Sequence, residues 1–157
     1  MSKKTIIVFS GEYDRLIAAF TIANGALAMD DEVTMFFTFW GLSALRKPGK
    51  ATDVKKSFLQ KMFSGMLPHR AETTPISNFN FGGMGRALMK KVMKQGNIMS
   101  VTDLMASARE QGVKIIACTM SMDVLGIGKD ELIDGIEYAG VATYLAEADE
   151  ANVNLFI

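Results

Sequence analysis

The chain opens with a short apolar run, TIIVF at residues 5–9, which Ser10 and Gly11 end. The run is rich in β-branched residues and shows no polar alternation, which is typical of a strand buried on both faces. Residues 12–29 then repeat apolar side chains at helical spacing, and VTMFFTF at residues 33–39 gives a second strand. A strand, helix and strand of these lengths predict a right-handed parallel crossover.

The same alternation returns in the last third of the chain. VKIIAC at residues 113–118 predicts a third strand and GIEYAG at 135–140 a weak fourth, before a helix over 141–151 and a strand over 153–157. Alternating strands and helices favour a parallel sheet covered by helices on both faces. We therefore predict an α/β protein, a three-layer α/β/α fold with a mostly parallel five-stranded sheet, in a single domain over residues 1–157.

Residues 48–100 depart from this pattern. They contain all three prolines and the glycine cluster GGMG at residues 82–85. Two helices are predicted, at about 54–65 and 84–95, each with lysines on one face and Met, Phe or Leu on the other. We interpret the segment as a basic, Met-rich helical insertion after the second strand.

The net charge of zero hides a strong asymmetry. Between Arg46 and Lys94 eleven basic residues face two acidic ones, a net charge of +9, and the remainder of the chain carries −9. An acidic surface of a second copy, an acidic partner protein and an anionic membrane surface are all possible partners for this segment. Self-association is favoured because the segment also carries adaptable apolar side chains. These are Met62, Phe63, Met66, Met89 and Met93.

Composition excludes several functional classes. With 157 residues, 49% apolar and 22% charged, the chain is expected to fold and bury a proper core. A single cysteine and a single histidine, His69, argue against disulfides, metal centres and a Ser–His dyad. No nucleic-acid motif, signal peptide or apolar run of about 20 residues occurs. We therefore expect a soluble cytoplasmic protein without cofactor, metal, nucleic-acid partner or transmembrane segment.

Binding sites of parallel sheets lie at the carboxyl ends of the strands. Four segments are predicted to meet there, at residues 10–12, 39–41, 118–121 and 138–140. We expect their side chains and glycines to form a substrate pocket. The predicted pocket residues are Ser10, Gly11, Trp40, Gly41, Thr119, Ser121 and Tyr138.

Cys118 is the candidate catalytic residue. It ends the third strand and precedes a short helix that Ser121 or Asp123 is predicted to cap. Backbone N–H groups and the positive end of such a helix would lower the pKa of the thiol and make it nucleophilic. A lone cysteine is more often a small core residue, but a position at the carboxyl end of a strand favours a functional role. The position alone therefore leaves both interpretations open.

The sequence around this cysteine, IIACTMSMDVLGI at residues 115–127, resembles the cysteine motif of the DsrE/DsrF-like family of sulfur-carrier proteins. The resemblance is to the branch described as DsrE-like or peroxiredoxin-like. Other stretches are similar to that branch, namely FSGEYD at 9–14, FFTFWGL at 36–42, GGMG at 82–85 and GIEYAGVA at 135–142. The resemblance covers nearly the whole chain.

The resemblance implies a three-layer α/β/α fold, a homo-oligomer and a sulfur-carrier or sulfurtransferase function. Cys118 would accept sulfane sulfur from a donor as a persulfide and pass it to an acceptor protein. The absence of a second cysteine argues against a peroxidase cycle with a resolving thiol in the same chain. The alternative is a non-catalytic ligand-binding or redox-sensing module in which Cys118 lines the pocket.

Overall fold

The computed structural model describes residues 1–49 and 56–157. Its five strands are β1 (Lys3–Val8), β2 (Glu32–Phe37), β3 (Lys114–Cys118), β4 (Glu137–Ala139) and β5 (Val153–Phe156). They form one sheet in the order β4-β3-β2-β1-β5, and every neighbouring pair is parallel. The predicted α/β fold with five strands is confirmed, and the sheet is wholly parallel.

The helices are α1 (Tyr13–Leu27), α2 (Phe58–Met66), α3 (Met84–Gln95), α4 (Val101–Glu110), α5 (Thr119–Leu125) and α6 (Val141–Asp149). A 3-10 helix of seven residues, Phe39–Leu45, follows β2. Short 3-10 turns occur at Ala71–Thr73, Phe81–Gly83 and Lys129–Glu131. In the part of the chain that the structure describes, no helix has the length and apolar character needed to span a membrane.

The order of the strands decides which helix covers which face. The chain steps outward from β1 through β2 and β3 to β4, and then returns across the sheet to β5 on the other side of β1. Because parallel crossovers are right-handed, the return helix α6 lies on the face opposite α1 and α4. The main core lies under α1 and α4, whereas Cys118 belongs to a small cluster under α6.

The helices of the insertion begin where local signals favour it. The side chain of Ser57 accepts a hydrogen bond from the backbone N–H of Gln60, whose own side chain reaches back to Ser57 N in a capping box. Helix α3 follows Gly83, which has a φ of 102°. Its bounds agree with the predicted helix at 84–95. Residues 54 and 55 of the other predicted helix lie outside the described residues.

The apolar surface of the insertion differs from the one predicted. Met62, Phe63 and Met66 on α2 are exposed as expected. The prediction is wrong for Met93, which is buried in the main core, and Met89 packs against that core. Since α3 turns this face inward, its exposed apolar row consists of Met84, Leu88 and Val92.

Part of the basic charge between Arg46 and Lys94 is paired within the molecule. The pairs are Arg46 and Lys56 with Glu131, Lys47 with Asp134, and Lys90 with Glu72. These pairs could not be predicted from the sequence, because three of the four join residues more than 70 positions apart in the chain. These four cations therefore do not require an external partner.

Candidate functional site

The loops at the carboxyl edge of the sheet are joined by direct contacts. Thr38, just after β2, places its hydroxyl 2.7 Å from the hydroxyl of Ser121 on α5. Cys118 at the end of β3 lies opposite Ala139 of β4. Ser10, just after β1, donates its backbone N–H to the carbonyl of Ile157 beyond β5. The four predicted segments thus share one edge of the sheet.

Two glycines allow the first two of these loops to touch. A Cβ atom on Gly41 would lie 2.0 Å from the carbonyl oxygen of Val8, and one on Gly11 would lie 2.5 Å from that of Trp40. Gly41 also donates its N–H to the carbonyl of Phe9 at 2.9 Å. Both predicted pocket glycines therefore serve close backbone packing.

A cavity of about 430 Å³ opens beside these glycines. The predicted residues Ser10, Gly11 and Trp40 line it together with Phe9, Glu12 and Ser43. The Trp40 side chain is partly open to solvent, with 42% of the residue exposed. Three residues of the predicted pocket therefore share one cavity at the end of β1.

The charges at the rim of this cavity are held by short contacts. Ser10 donates its hydroxyl to Glu12 Oε2 at 3.0 Å, and Arg15 Nε lies 2.8 Å from the same oxygen.

Asp14 in the first turn of α1 accepts hydrogen bonds from the backbone N–H and hydroxyl of Ser77. Burial raises the pKa of Asp14, but these hydrogen bonds outweigh burial and hold it below its ordinary value. Asp14 thereby ties the insertion to α1.

Cys118 lies on the opposite face of the sheet from the main core. It is only 2% exposed and packs with Phe36, Ile116 and Tyr144 beneath α6. The hydroxyl of Tyr144 lies 3.2 Å from that of Thr5. Since side chains alternate along a strand, Cys118 shares its face with Ile116. The resting thiol is therefore buried in a small apolar cluster.

Helix α5 starts earlier than predicted. It begins at Thr119, so Cys118 rather than Ser121 or Asp123 is the residue that precedes the first turn. Ser121 and Asp123 lie inside the helix, and the hydroxyl of Ser121 is hydrogen-bonded to that of Thr38. The prediction of a Ser or Asp cap is wrong because Cys118 already has extended backbone at the strand end.

Thr119 and Tyr138, two further predicted pocket residues, do not line the cavity at the end of β1. Thr119 lines a second cavity of about 440 Å³, together with Gln60, Met122 and Lys129. The ammonium of Lys129 lies 4.8 Å from the ring centre of Tyr138. Burial raises the pKa of the Tyr138 hydroxyl. The predicted pocket residues therefore do not form a single pocket. They lie at separate places along the carboxyl edge of the sheet.

The fold agrees with the comparisons made with known proteins. The model of the DsrE/DsrF/DrsH-like family matches residues 1–156, so the chain belongs to this family.

Two curated relatives cover almost the whole chain. The uncharacterized protein YrkE of Bacillus subtilis is 54% identical over 155 residues, which are 99% of this chain and 96% of YrkE. The sulfur carrier protein DsrE2 of Allochromatium vinosum is 35% identical over 159 residues, 99% of this chain and 98% of DsrE2. The crystal structure of the ychN protein from E. coli covers 100% of both chains with a TM-score of 0.60 at 15% identity, a likeness of fold.

Proposed function

We propose that this protein is a sulfur carrier that accepts sulfane sulfur as a persulfide on Cys118 and passes it to an acceptor protein. One observation carries the proposal: the only thiol of the chain stands at the carboxyl edge of the sheet, directly before α5. Its relative DsrE2 is named a sulfur carrier protein. A carrier needs one thiol and no metal or organic cofactor.

The proposed step conserves atoms and electrons. The Cys118 thiolate attacks the outer sulfur of a donor persulfide, R–S–SH, and forms a new S–S bond. The S–S bond of the donor breaks, and R–S⁻ leaves with the electron pair. The product is Cys118–S–SH, whose outer sulfur is transferred to an acceptor thiolate by the same reaction.

The burial of Cys118 adds a requirement to this proposal. The thiol lies under α6, and β4 is joined to α6 by the single residue Gly140. Opening of the first turn of α6 would expose the sulfur, and segments at element ends open most easily. Reclosure would then shield a bound persulfide from water and oxidants.

The proposed partners are a sulfur donor protein, an acceptor protein and further copies of this chain in the cytoplasm, where thiols stay reduced. Self-association is supported by the exposed apolar side chains of α2, Met62, Phe63 and Met66. Sedimentation at micromolar concentration is expected to show an oligomer, which Met62→Asp together with Met66→Asp weakens. An unchanged oligomer in this variant would remove α2 from the interface.

Uptake of sulfur tests the proposed function. After incubation with a persulfide donor, the intact chain is expected to gain one sulfur, about 32 Da by mass spectrometry. Cys118→Ser is expected to gain nothing, because it lacks the thiol that forms the S–S bond. Cys118→Ser that gains the same mass would contradict the proposal.

The buried position also favours the alternative in which Cys118 is a passive core residue. Alkylation with iodoacetamide separates the two, followed with and without denaturant. A carrier is expected to react in the folded state through opening of α6. A thiol that reacts only at the rate of global unfolding would support the passive alternative.

A further inference from the structure

We propose that the cavity at the end of β1 binds a small, flat, uncharged organic molecule, aromatic or heteroaromatic, that carries an N–H or O–H donor. The cavity is enclosed by the loop before α1, the 3-10 helix Phe39–Leu45 and the segment at residues 67–75. Cys118 does not line it. Binding in this cavity is therefore separate from sulfur transfer.

The position of the cavity in the sheet is typical of a binding site. The winding of the chain reverses between β1 and β5, and the residues just after these strands are hydrogen-bonded, Phe9 N–H to the Ile157 carbonyl at 2.8 Å. In open parallel sheets, ligands bind outside the carboxyl ends of strands at such a reversal. The cavity is lined by the segments that follow β1 and β2, so it lies at the carboxyl edge of the sheet beside this reversal.

The walls of the cavity are apolar and partly aromatic. Its lining includes Phe9, Trp40, Leu67, Pro68 and Pro75. The ring of Phe9 stacks on that of Phe156 of β5, with centroids 5.6 Å apart, so Trp40 is the aromatic residue left to form a wall of the cavity. Pockets for small organic ligands commonly have volumes of about 300–1,000 Å³, so about 430 Å³ suits a molecule of one or two rings. Aromatic walls favour a flat ligand.

One residue that lines the cavity carries a buried, unpartnered hydroxyl. Ser43 lines it, is 1% exposed, and its Oγ has no hydrogen-bond partner within residues 1–49 and 56–157. Most buried hydroxyls are hydrogen-bonded, because an unpaired one loses its contacts with water. A polar group on a bound ligand would supply the missing partner.

The charged side chains at the rim of the cavity favour a ligand without net charge. Glu12 and Arg15 neutralise each other, so neither a cation nor an anion meets an unpaired opposite charge there. The contacts of Glu12 with Ser10 and Arg15 both fall on Oε2. Its Oε1 remains an acceptor for an N–H or O–H group of the ligand. These observations favour an uncharged molecule with a donor.

Benzamide is a suitable probe because it is flat, uncharged and carries N–H donors. Binding at millimolar concentration is expected to appear as saturation transfer to benzamide in ligand-observed NMR and as a change in the emission of Trp40, the only tryptophan of the chain. Ser43→Ala is expected to weaken benzamide binding roughly tenfold, because it removes a hydrogen bond to the ligand. The same variant is expected to have an equal or higher melting temperature without ligand, since the hydroxyl is unpaired there among the described residues.

Two control variants test whether benzamide binds specifically in this cavity. Phe81→Ala, at an exposed aromatic residue outside this cavity, and Cys118→Ser are expected to bind benzamide as the wild type does. Retained binding by Cys118→Ser also separates this proposal from the sulfur-carrier function. The absence of saturation transfer, or equal binding of benzoate and benzamide, would overturn the proposal. So would unchanged affinity in Ser43→Ala.

Discussion

Glu131→Ala is expected to destabilise the protein by about 3–5 kcal/mol, because it leaves buried positive charge without its carboxylate. Glu131 is buried, with Oε1 3.0 Å from Arg46 Nη2 and Oε2 2.8 Å from Lys56 Nζ. The backbone N–H of Gly128 donates to Oε2 at 2.7 Å. Urea unfolding followed by circular dichroism measures the loss.

The effect of this substitution is expected to depend on pH. Burial raises the pKa of Glu131, but Lys56, the Gly128 N–H and Arg46 outweigh burial and hold it below its ordinary value. A carboxyl with a lower pKa in the folded state stabilises fully above its unfolded pKa of about 4.3, and this contribution is lost as pH falls through the folded pKa. The difference between wild type and Glu131→Ala should therefore shrink in acid.

An exposed glutamate on the same chain provides the control. Glu137 is exposed and lies 3.4 Å from Lys114, so Glu137→Ala is expected to change the free energy of unfolding by about 0.5 kcal/mol or less. Equal losses for Glu131→Ala and Glu137→Ala would contradict the importance of the buried cluster. The cluster is important because Arg46 also donates to the carbonyls of Ser64 and Leu67, and so connects the end of α2 to the segment that follows β2.

Gly41→Ala is expected to destabilise the protein by about 3 kcal/mol or more. The new Cβ would lie 2.0 Å from the carbonyl oxygen of Val8, which accepts the backbone N–H of Thr38. Because both sides of this contact are backbone, the 3-10 helix must move away from β1. A lower midpoint of urea unfolding and weaker binding of benzamide are the expected results.

Gly25→Ala tests whether any added methyl group has this effect. Gly25 lies in the last turn of α1, is exposed, and would place a Cβ with no atom within 4 Å. Alanine is the better helix former by about 0.5–1 kcal/mol, so Gly25→Ala is expected to stabilise the protein. A loss of stability in Gly25→Ala equal to that in Gly41→Ala would contradict the close-contact explanation.

Local signals in the sequence were sufficient for most of the fold. The β-branched runs at residues 5–9 and 113–118 mark strands buried on both faces, and the predicted helix at 84–95 is α3. The orientation of α3 could not be predicted from the sequence, because Leu88 and Met93 carry comparably apolar side chains. Only the packing of α3 on the core buries Met93 and exposes Leu88.

The candidate site, like the fold, could be predicted from the sequence only in part. The strand end at Cys118 and the turn at Ser10 and Gly11 are visible in the sequence, because parallel strands place their carboxyl ends together. The face to which Cys118 points depends on the return of the chain through α6, which is a long-range property. Nothing in the local sequence marks Ser43 as a site residue, because only the tertiary structure shows its hydroxyl to be buried and unpartnered among the described residues.

The central claim is that Cys118 carries a transferable sulfur. The gain of about 32 Da alone does not prove this, because a sulfinic acid adds two oxygens of nearly the same mass. The two products differ in reversibility, since thiols reduce a persulfide but not a sulfinic acid.

The most direct measurement follows the intact mass of the loaded, desalted protein after addition of a thiol acceptor. We predict that the chain returns to its original mass, that the acceptor gains the sulfur, and that Cys118→Ser shows neither change. A mass gain that persists in the presence of excess thiol would contradict the sulfur-carrier function.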